Sequence, residues 1–255
     1  MSLDIAKPIA IDERGPLLRW LIFTGACVFG FALLWRFGLI ALMLRSDKTS
    51  LSLVIALLYL ATTLHCLWRT SVISTEIDCA RRIEAIVSSS YGAKYVVAGA
   101  NVATSAGDRL PPGAVTTHIR NLVLKAGLQA GHRLDQTLLL RGLADKLRGP
   151  NLLGNFASDS LMKLGLLGTI IGFIMMLAPI AGLDAGNQSA LKSSMSLMGD
   201  GMAVAMYTTL SGLVGSILVK IQYSMLDAAT ARLFALATEL TEVYVVPVLE
   251  RDQNG

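Results

Sequence analysis

Four long stretches nearly free of charge, at residues 17–44, 51–67, 161–180 and 201–218, constrain this chain more than any other feature. About 20 apolar residues in a helix cross the hydrocarbon of a bilayer. Inside it the backbone must satisfy its own hydrogen bonds, which a helix does within one segment. The whole chain is 53% hydrophobic and only 16% charged, against about 25% charged in soluble domains. That deficit collects in the four runs, while the rest has ordinary polar composition. The fold class expected is all-α: a polytopic membrane protein with four transmembrane helices and a helical cytoplasmic segment.

In the first run Arg19 stands at the start and Arg36 interrupts. A span over 17–35 puts Arg36 at the far interface, where its stem can snorkel, with Trp20 and Trp35 near the two interfaces that favour tryptophan. A polar break at 46–50 leads into the second run, and Trp68 and Arg69 mark its return. Residues 1–16 then form a cytoplasmic N-terminus and 17–68 a transmembrane hairpin. The N-terminus mixes acidic and basic residues with no small-residue cleavage site, so it does not read as a cleaved signal.

Residues 69–158 carry Arg81, Arg82, Lys94, Arg109, Arg120, Lys125, Arg133, Arg141, Lys146 and Arg148. Positive charge is retained in the cytoplasm, so this segment belongs on that side. Within it, 69–90 continues the second helix, 91–115 with Pro111-Pro112-Gly113 reads as loop, and helices are expected at 116–129 and 132–148. Lys163 and Lys220 mark the cytoplasmic ends of the third and fourth spans. The loop 182–200, with Asp184, Lys192 and Asp200 as its only charges, goes to the opposite side. Residues 223–255 extend the last helix into the cytoplasm until Pro247. Both termini are therefore expected to be cytoplasmic.

The formal charge of +4 and pI near 9.0 do not read as a nucleic-acid footprint, because the basic residues are spread out with little aromatic interleaving. That surface suits anionic lipid headgroups. Cys27, Cys66 and Cys79 are odd in number and lack metal-ligand spacing, so they read as free thiols and no metal or cofactor is expected. His65, His118 and His132 are scattered and read as structural. With no Ser–His or HExxH-like pairing, the chain does not read as an enzyme.

The third and fourth spans differ from the oily first pair. Gly165, Gly168, Thr169 and Gly172 recur every three or four residues, which places them on one helix face. Gly201, Ala205, Thr208, Thr209, Gly212 and Ser216 do the same on the fourth. Two readings stand side by side: close packing of small residues, with threonine bonding to its own helix, or a path lined by hydroxyls. No Asp or Glu falls inside a span, although membrane proton relays run through carboxylates or histidines. A titrating group would then come from another chain.

The stretch Lys163-Leu-Gly-Leu-Leu-Gly-Thr-Ile-Ile-Gly-Phe-Ile174 resembles the first pore-helix motif of the MotA/TolQ/ExbB family. Gly201-Met-Ala-Val-Ala-Met-Tyr-Thr-Thr-Leu-Ser-Gly-Leu213 resembles the second. The resemblance covers 159–222 as a channel domain. It implies a homopentameric ring in a bacterial inner membrane, around a dimeric single-span partner of the MotB/TolR/ExbD type that supplies an aspartate. It implies that ion flow, proton or sodium with the motif leaning to proton, drives motion. Thr169 and Thr209, with Thr208 beside them, would line the path; Gly165, Gly168, Gly172, Gly201, Ala205 and Gly212 would pack the pore helices. Two spans before the cytoplasmic segment are more like MotA than ExbB or TolQ. Val204 stands where some ExbB-like proteins carry glutamate. The other reading is a non-conducting membrane scaffold.

Overall fold

The computed structural model describes residues 15–38, 49–89, 92–99, 101–105, 107–129, 134–182 and 188–254. Residues 1–14, most of the polar break at 46–50, His132, Arg133 and Asp184 lie outside them. Helix α1 runs Gly15–Arg36 and α2 Leu51–Ser89. A strand pair, β1 Tyr95–Ala98 and β2 Asn101–Thr104, follows. Next come α3 Ala114–Leu128, α4 Thr137–Arg148, α5 Leu152–Leu177, α6 Gln188–Leu240 and α7 Val246–Asn254.

Four of these helical stretches are long and apolar enough to cross a membrane. Their most apolar windows are only 6% to 33% buried. Apolar side chains such as Leu166, Phe173, Met206, Leu213 and Ile217 face outward, as they do where lipid or another protein surface replaces water. The chain is a multi-pass membrane protein.

Three expectations are corrected. The stretch 91–115 is not all loop. Tyr95 to Ala98 pair antiparallel with Thr104 to Asn101, and Gly99, at φ +62°, makes the turn. Valines at 96, 97 and 102 supply β-branched side chains that suit a pleat. Second, residues 188–200 belong to α6 rather than to a loop; sparse charge indicates which side a segment lies on, not its conformation. Third, the expected helix at 132–148 begins at Thr137. Trp20 is buried at 4% exposure and Trp35 stands exposed.

Two compact units divide the chain. One comprises Met1–Arg19, Arg69–Pro150 and Leu226–Gly255, the other Trp20–Trp68 and Asn151–Met225. In the first, α2 buries Ile73, Ile77, Ala80, Ile83 and Val87, and α6 buries Leu226, Ala229, Leu233, Ala237 and Leu240. Both sets recur every three or four residues, the stripe of a helix with one apolar face. Val115, Ile119 and Leu122 of α3 are also buried.

Polar contacts fix the ends of these elements. Glu76 Oε2 accepts the Ala114 N–H at 2.8 Å, a carboxylate on the exposed donors and positive dipole end of α3. A Cβ on Gly113 would sit 2.9 Å from that oxygen, so glycine keeps the carboxylate close. Asp135 Oδ1 accepts the Thr137 hydroxyl at 2.6 Å and its N–H at 2.9 Å. Those bonds hold the exposed Asp135 carboxyl below its usual range. Arg69 donates to the Leu147 carbonyl at 3.1 Å, and Leu134 N–H donates to Glu250 at 3.1 Å.

Residues Thr241–Val245 form a π turn. Pro247, early in α7, has no N–H to donate and its ring crowds the carbonyl four residues back. The wider turn just before it is where that helical ladder changes.

His118 is buried, with Nε2 3.4 Å from Gln136 Oε1. Burial lowers its pKa, and Gln136 opposes the shift only in part. The unfolded chain therefore takes up this proton more readily than the fold does. The stabilisation is complete above the unfolded value of about 6.5 and is lost as pH falls from there through the lower folded value. Thermal unfolding at pH 7.5 and 5.5 should show a larger loss in the wild type than in His118→Gln. Equal losses would mean His118 contributes nothing to acid sensitivity.

Candidate functional site

The third and fourth candidate spans, α5 and the first part of α6, lie antiparallel and meet through residues without bulk. A Cβ on Gly165 would lie 3.2 Å from Gly212 Cα and 3.2 Å from the Thr208 carbonyl. One on Gly172 would lie 2.6 Å from Ala205 N, and one on Gly201 2.6 Å from Met176 N. On Gly212 it would lie 2.6 Å from the Leu161 carbonyl and 2.8 Å from Gly165 Cα. On Gly168 it would overlap the Thr208 side chain, and on Gly154 the Tyr223 ring. The rungs step regularly: 154 with 223, 165 with 212, 168 with 208, 172 with 205. Small residues at helical spacing thus bring two backbones into contact, the way helices associate where no hydrophobic effect distinguishes protein from lipid.

The hydroxyls on this pair fall in different places. Thr208 is fully buried, and its Oγ1 donates to the Val204 carbonyl at 2.8 Å. Thr209 is partly exposed. Its Oγ1 lies 2.9 Å from the Ala205 carbonyl and 3.2 Å from the Gly165 carbonyl across the seam. Thr169 is also partly exposed, donates to the Leu166 carbonyl at 2.5 Å, and edges a cavity of about 450 Å³ with Phe173, Met202 and Met206. The face grouping read from spacing therefore divides: Gly165, Gly168 and Gly172 are in the seam, and Thr169 lies at its flank.

Polar side chains continue past the motifs along the same face of α6. Ser158 and Ser216, both buried, have their hydroxyls 2.9 Å apart, and Ser158 Oγ also donates to the Ser216 carbonyl at 3.1 Å. Further on, the Tyr223 hydroxyl meets His65 Nδ1 at 2.7 Å with the rings stacked. Gln222 beside it is completely buried. Sequence reasoning left His65 without a partner and did not single out Gln222 or Tyr223. The available signal was the spacing 208, 212, 216, 219, 223, which extends the small-residue face by two turns. Among the described residues, no three His, Cys, Asp or Glu side chains gather as a metal site.

Residues 141–238 match the family described as the MotA/TolQ/ExbB proton channel family. The match takes in both motif-bearing helices, the end of α4 and most of the remainder of α6. No curated protein and no solved structure matches the chain.

Proposed function

The chain belongs, through residues 141–238, to the MotA/TolQ/ExbB proton channel family, and from that premise we propose that it is the channel-forming subunit of an ion-driven motor. Five copies form a ring in the bacterial inner membrane around a dimeric single-span partner of the MotB/TolR/ExbD kind. Protons pass between the partner's aspartate and hydroxyls of this chain, Thr209 and Thr169, and their flow is converted to mechanical work. The observation that carries this reading is the α5–α6 pair itself. Its packing side is closed by backbone contact, so the flanking hydroxyls are the polar groups it offers a neighbour among outward apolar side chains, and no carboxylate lies within the spans. The positive charge of residues 69–158 supports a cytoplasmic position for that segment, and with it cytoplasmic termini.

The second reading, a non-conducting scaffold, draws on the same seam. Glycine packing holds helices together whether or not ions pass, and Thr208 and Thr209 already bond within the protein. Two measurements separate the readings. The native mass of the detergent-solubilised, delipidated protein is expected to be that of a pentamer; a stable monomer or dimer would remove the ring. In the complex with the single-span protein that co-purifies with it, Thr209→Val keeps shape and removes a hydroxyl. A hydrogen bond to a charged species contributes about 1.5–3 kcal/mol, so proton flux should fall about ten- to hundredfold with native mass unchanged. Undiminished flux in well-assembled Thr209→Val would exclude this residue from the path.

A further inference from the structure

The face of α6 that begins at Thr208 ends in a polar group enclosed between α2 and α6. Most hydroxyls in these helices are satisfied by the carbonyl one turn back, as Thr62 is by Leu58 at 2.7 Å and Ser211 by Tyr207 at 2.6 Å. Thr63 is different: its Oγ1 is buried with no hydrogen-bond partner. Gln222 has no exposed surface, and neither its amide oxygen nor its amide nitrogen has a partner. The Tyr59 hydroxyl interacts with both Thr63 and Gln222, but in neither pair does it close to a well-formed hydrogen bond. Next along the helices, His65 and Tyr223 make their 2.7 Å bond.

A glutamine amide carries two donors and an acceptor. Leaving them short of well-formed partners inside a membrane protein is unfavourable, because no lipid group there can replace water. The three groups facing one another, Tyr59 hydroxyl, Thr63 hydroxyl and Gln222 amide, provide the two to four polar partners that an ordered internal water takes. Histidine is the side chain whose ordinary titration falls near neutral pH, and His65 follows Thr63 by two residues on α2 as Tyr223 follows Gln222 on α6.

We propose that Tyr59, Thr63 and Gln222 hold internal water and that the adjoining His65–Tyr223 pair holds an exchangeable proton, making a hydrated relay between α2 and α6. Protonation of His65 makes both ring nitrogens donors, so the Tyr223 hydroxyl then accepts from Nδ1 and can turn its own hydrogen toward the water. The relay continues the series Thr208, Ser216, Gln222 along one helix, toward the end marked by Trp68 and Lys220. Its use in ion transfer rests on the conduction reading above; the site does not. Cys27 of α1 acts on Tyr59 from the neighbouring helix, and Cys66, on α2, is fully buried. The charged residues nearest along the three helices are Arg69 on α2, Asp159 on α5, and Lys220 and Asp227 on α6.

The test needs neither partner nor flux. Isotope-labelled protein in lipid bilayers is studied by water-edited solid-state NMR, the probe being water. Magnetisation is expected to pass from water to the Gln222 side chain and the His65 ring well above the level at Val204 and Val219, which are fully buried. Thr63→Val should reduce both transfers severalfold, and Gln222→Leu the transfer to the His65 ring. The His65 ring should change protonation between about pH 5 and 8, and Tyr223→Phe should move its midpoint by about half a unit or more. Transfer no greater than at Val219 would overturn the proposal. So would water contact with a His65 that does not titrate, or a midpoint indifferent to Tyr223→Phe, either of which leaves a structural water only. A dry cluster overturns this inference and leaves the conduction reading standing; a wet, titrating cluster in a chain that never conducts does the reverse.

Discussion

Gly212→Val is expected to take the α5–α6 pair apart. The first added carbon would lie 2.6 Å from the Leu161 carbonyl oxygen, 2.8 Å from Gly165 Cα and 3.0 Å from Gly165 N. All three are backbone atoms of a helix, so no rotamer change makes room. Overpacking where side chains can shift costs about 1–3 kcal/mol. Here the helices must separate, and the loss should reach about 3 kcal/mol or more, roughly 6–12 °C of thermal stability for a chain of this size. Unfolding followed by size exclusion in detergent would show it as a lowered midpoint and loss of the monodisperse peak. Gly199→Ala, on the same helix with nothing within 4 Å of the new carbon, is the control. Its midpoint should rise slightly, because alanine is favoured over glycine in a helix by about 0.5–1 kcal/mol. A wild-type midpoint for Gly212→Val would mean the two backbones are not in contact.

Gly168 and Thr208 offer the complementary exchange. Gly168→Ala drives its methyl into the Thr208 side chain and should cost about 2 kcal/mol. Thr208→Gly leaves a gap and a poorer helix former, again at about 1–2 kcal/mol. Together the two changes move the small residue from α5 to α6, which removes the clash of the first and fills part of the gap left by the second. The double variant should therefore be more stable than the sum of the singles by at least about 1 kcal/mol, within the range for residues in direct contact. Strict additivity would mean that 168 and 208 do not face one another and would break the register derived for the whole seam.

Much of this architecture is legible in the residues because the bilayer imposes lengths and polarities. The break at Arg36 coincides with the end of α1, and the periodic glycines are those whose faces touch. The misread parts obey subtler balances. Pro111-Pro112-Gly113 correctly signals irregular chain, but it drew the whole of 91–115 with it, although Val96, Val97 and Val102 around Gly99 carry the pattern of a tight strand pair. The sparse charge of 182–200 suggests translocation and says nothing of whether Gln188 onward is helical. The polar group at Tyr59, Thr63, His65, Gln222 and Tyr223 was hidden for a different reason. His65 and Tyr223 are 158 residues apart, and no periodicity on one helix reports its partner on another.

The seam between α5 and α6 also has a mechanical meaning. Joints between proteins usually yield through their side chains, which change rotamer under load and absorb displacement as lost motion. Where glycine meets backbone there are no rotamers to change, and so little slack. The two helices should therefore move as one stiff spoke. Helix α6 itself runs unbroken for 53 residues, about 80 Å at 1.5 Å per residue, before the π turn at Thr241–Val245. A push delivered at the flank of the glycine seam meets backbone rather than rotamers, so little of it is lost as side-chain motion between the two helices.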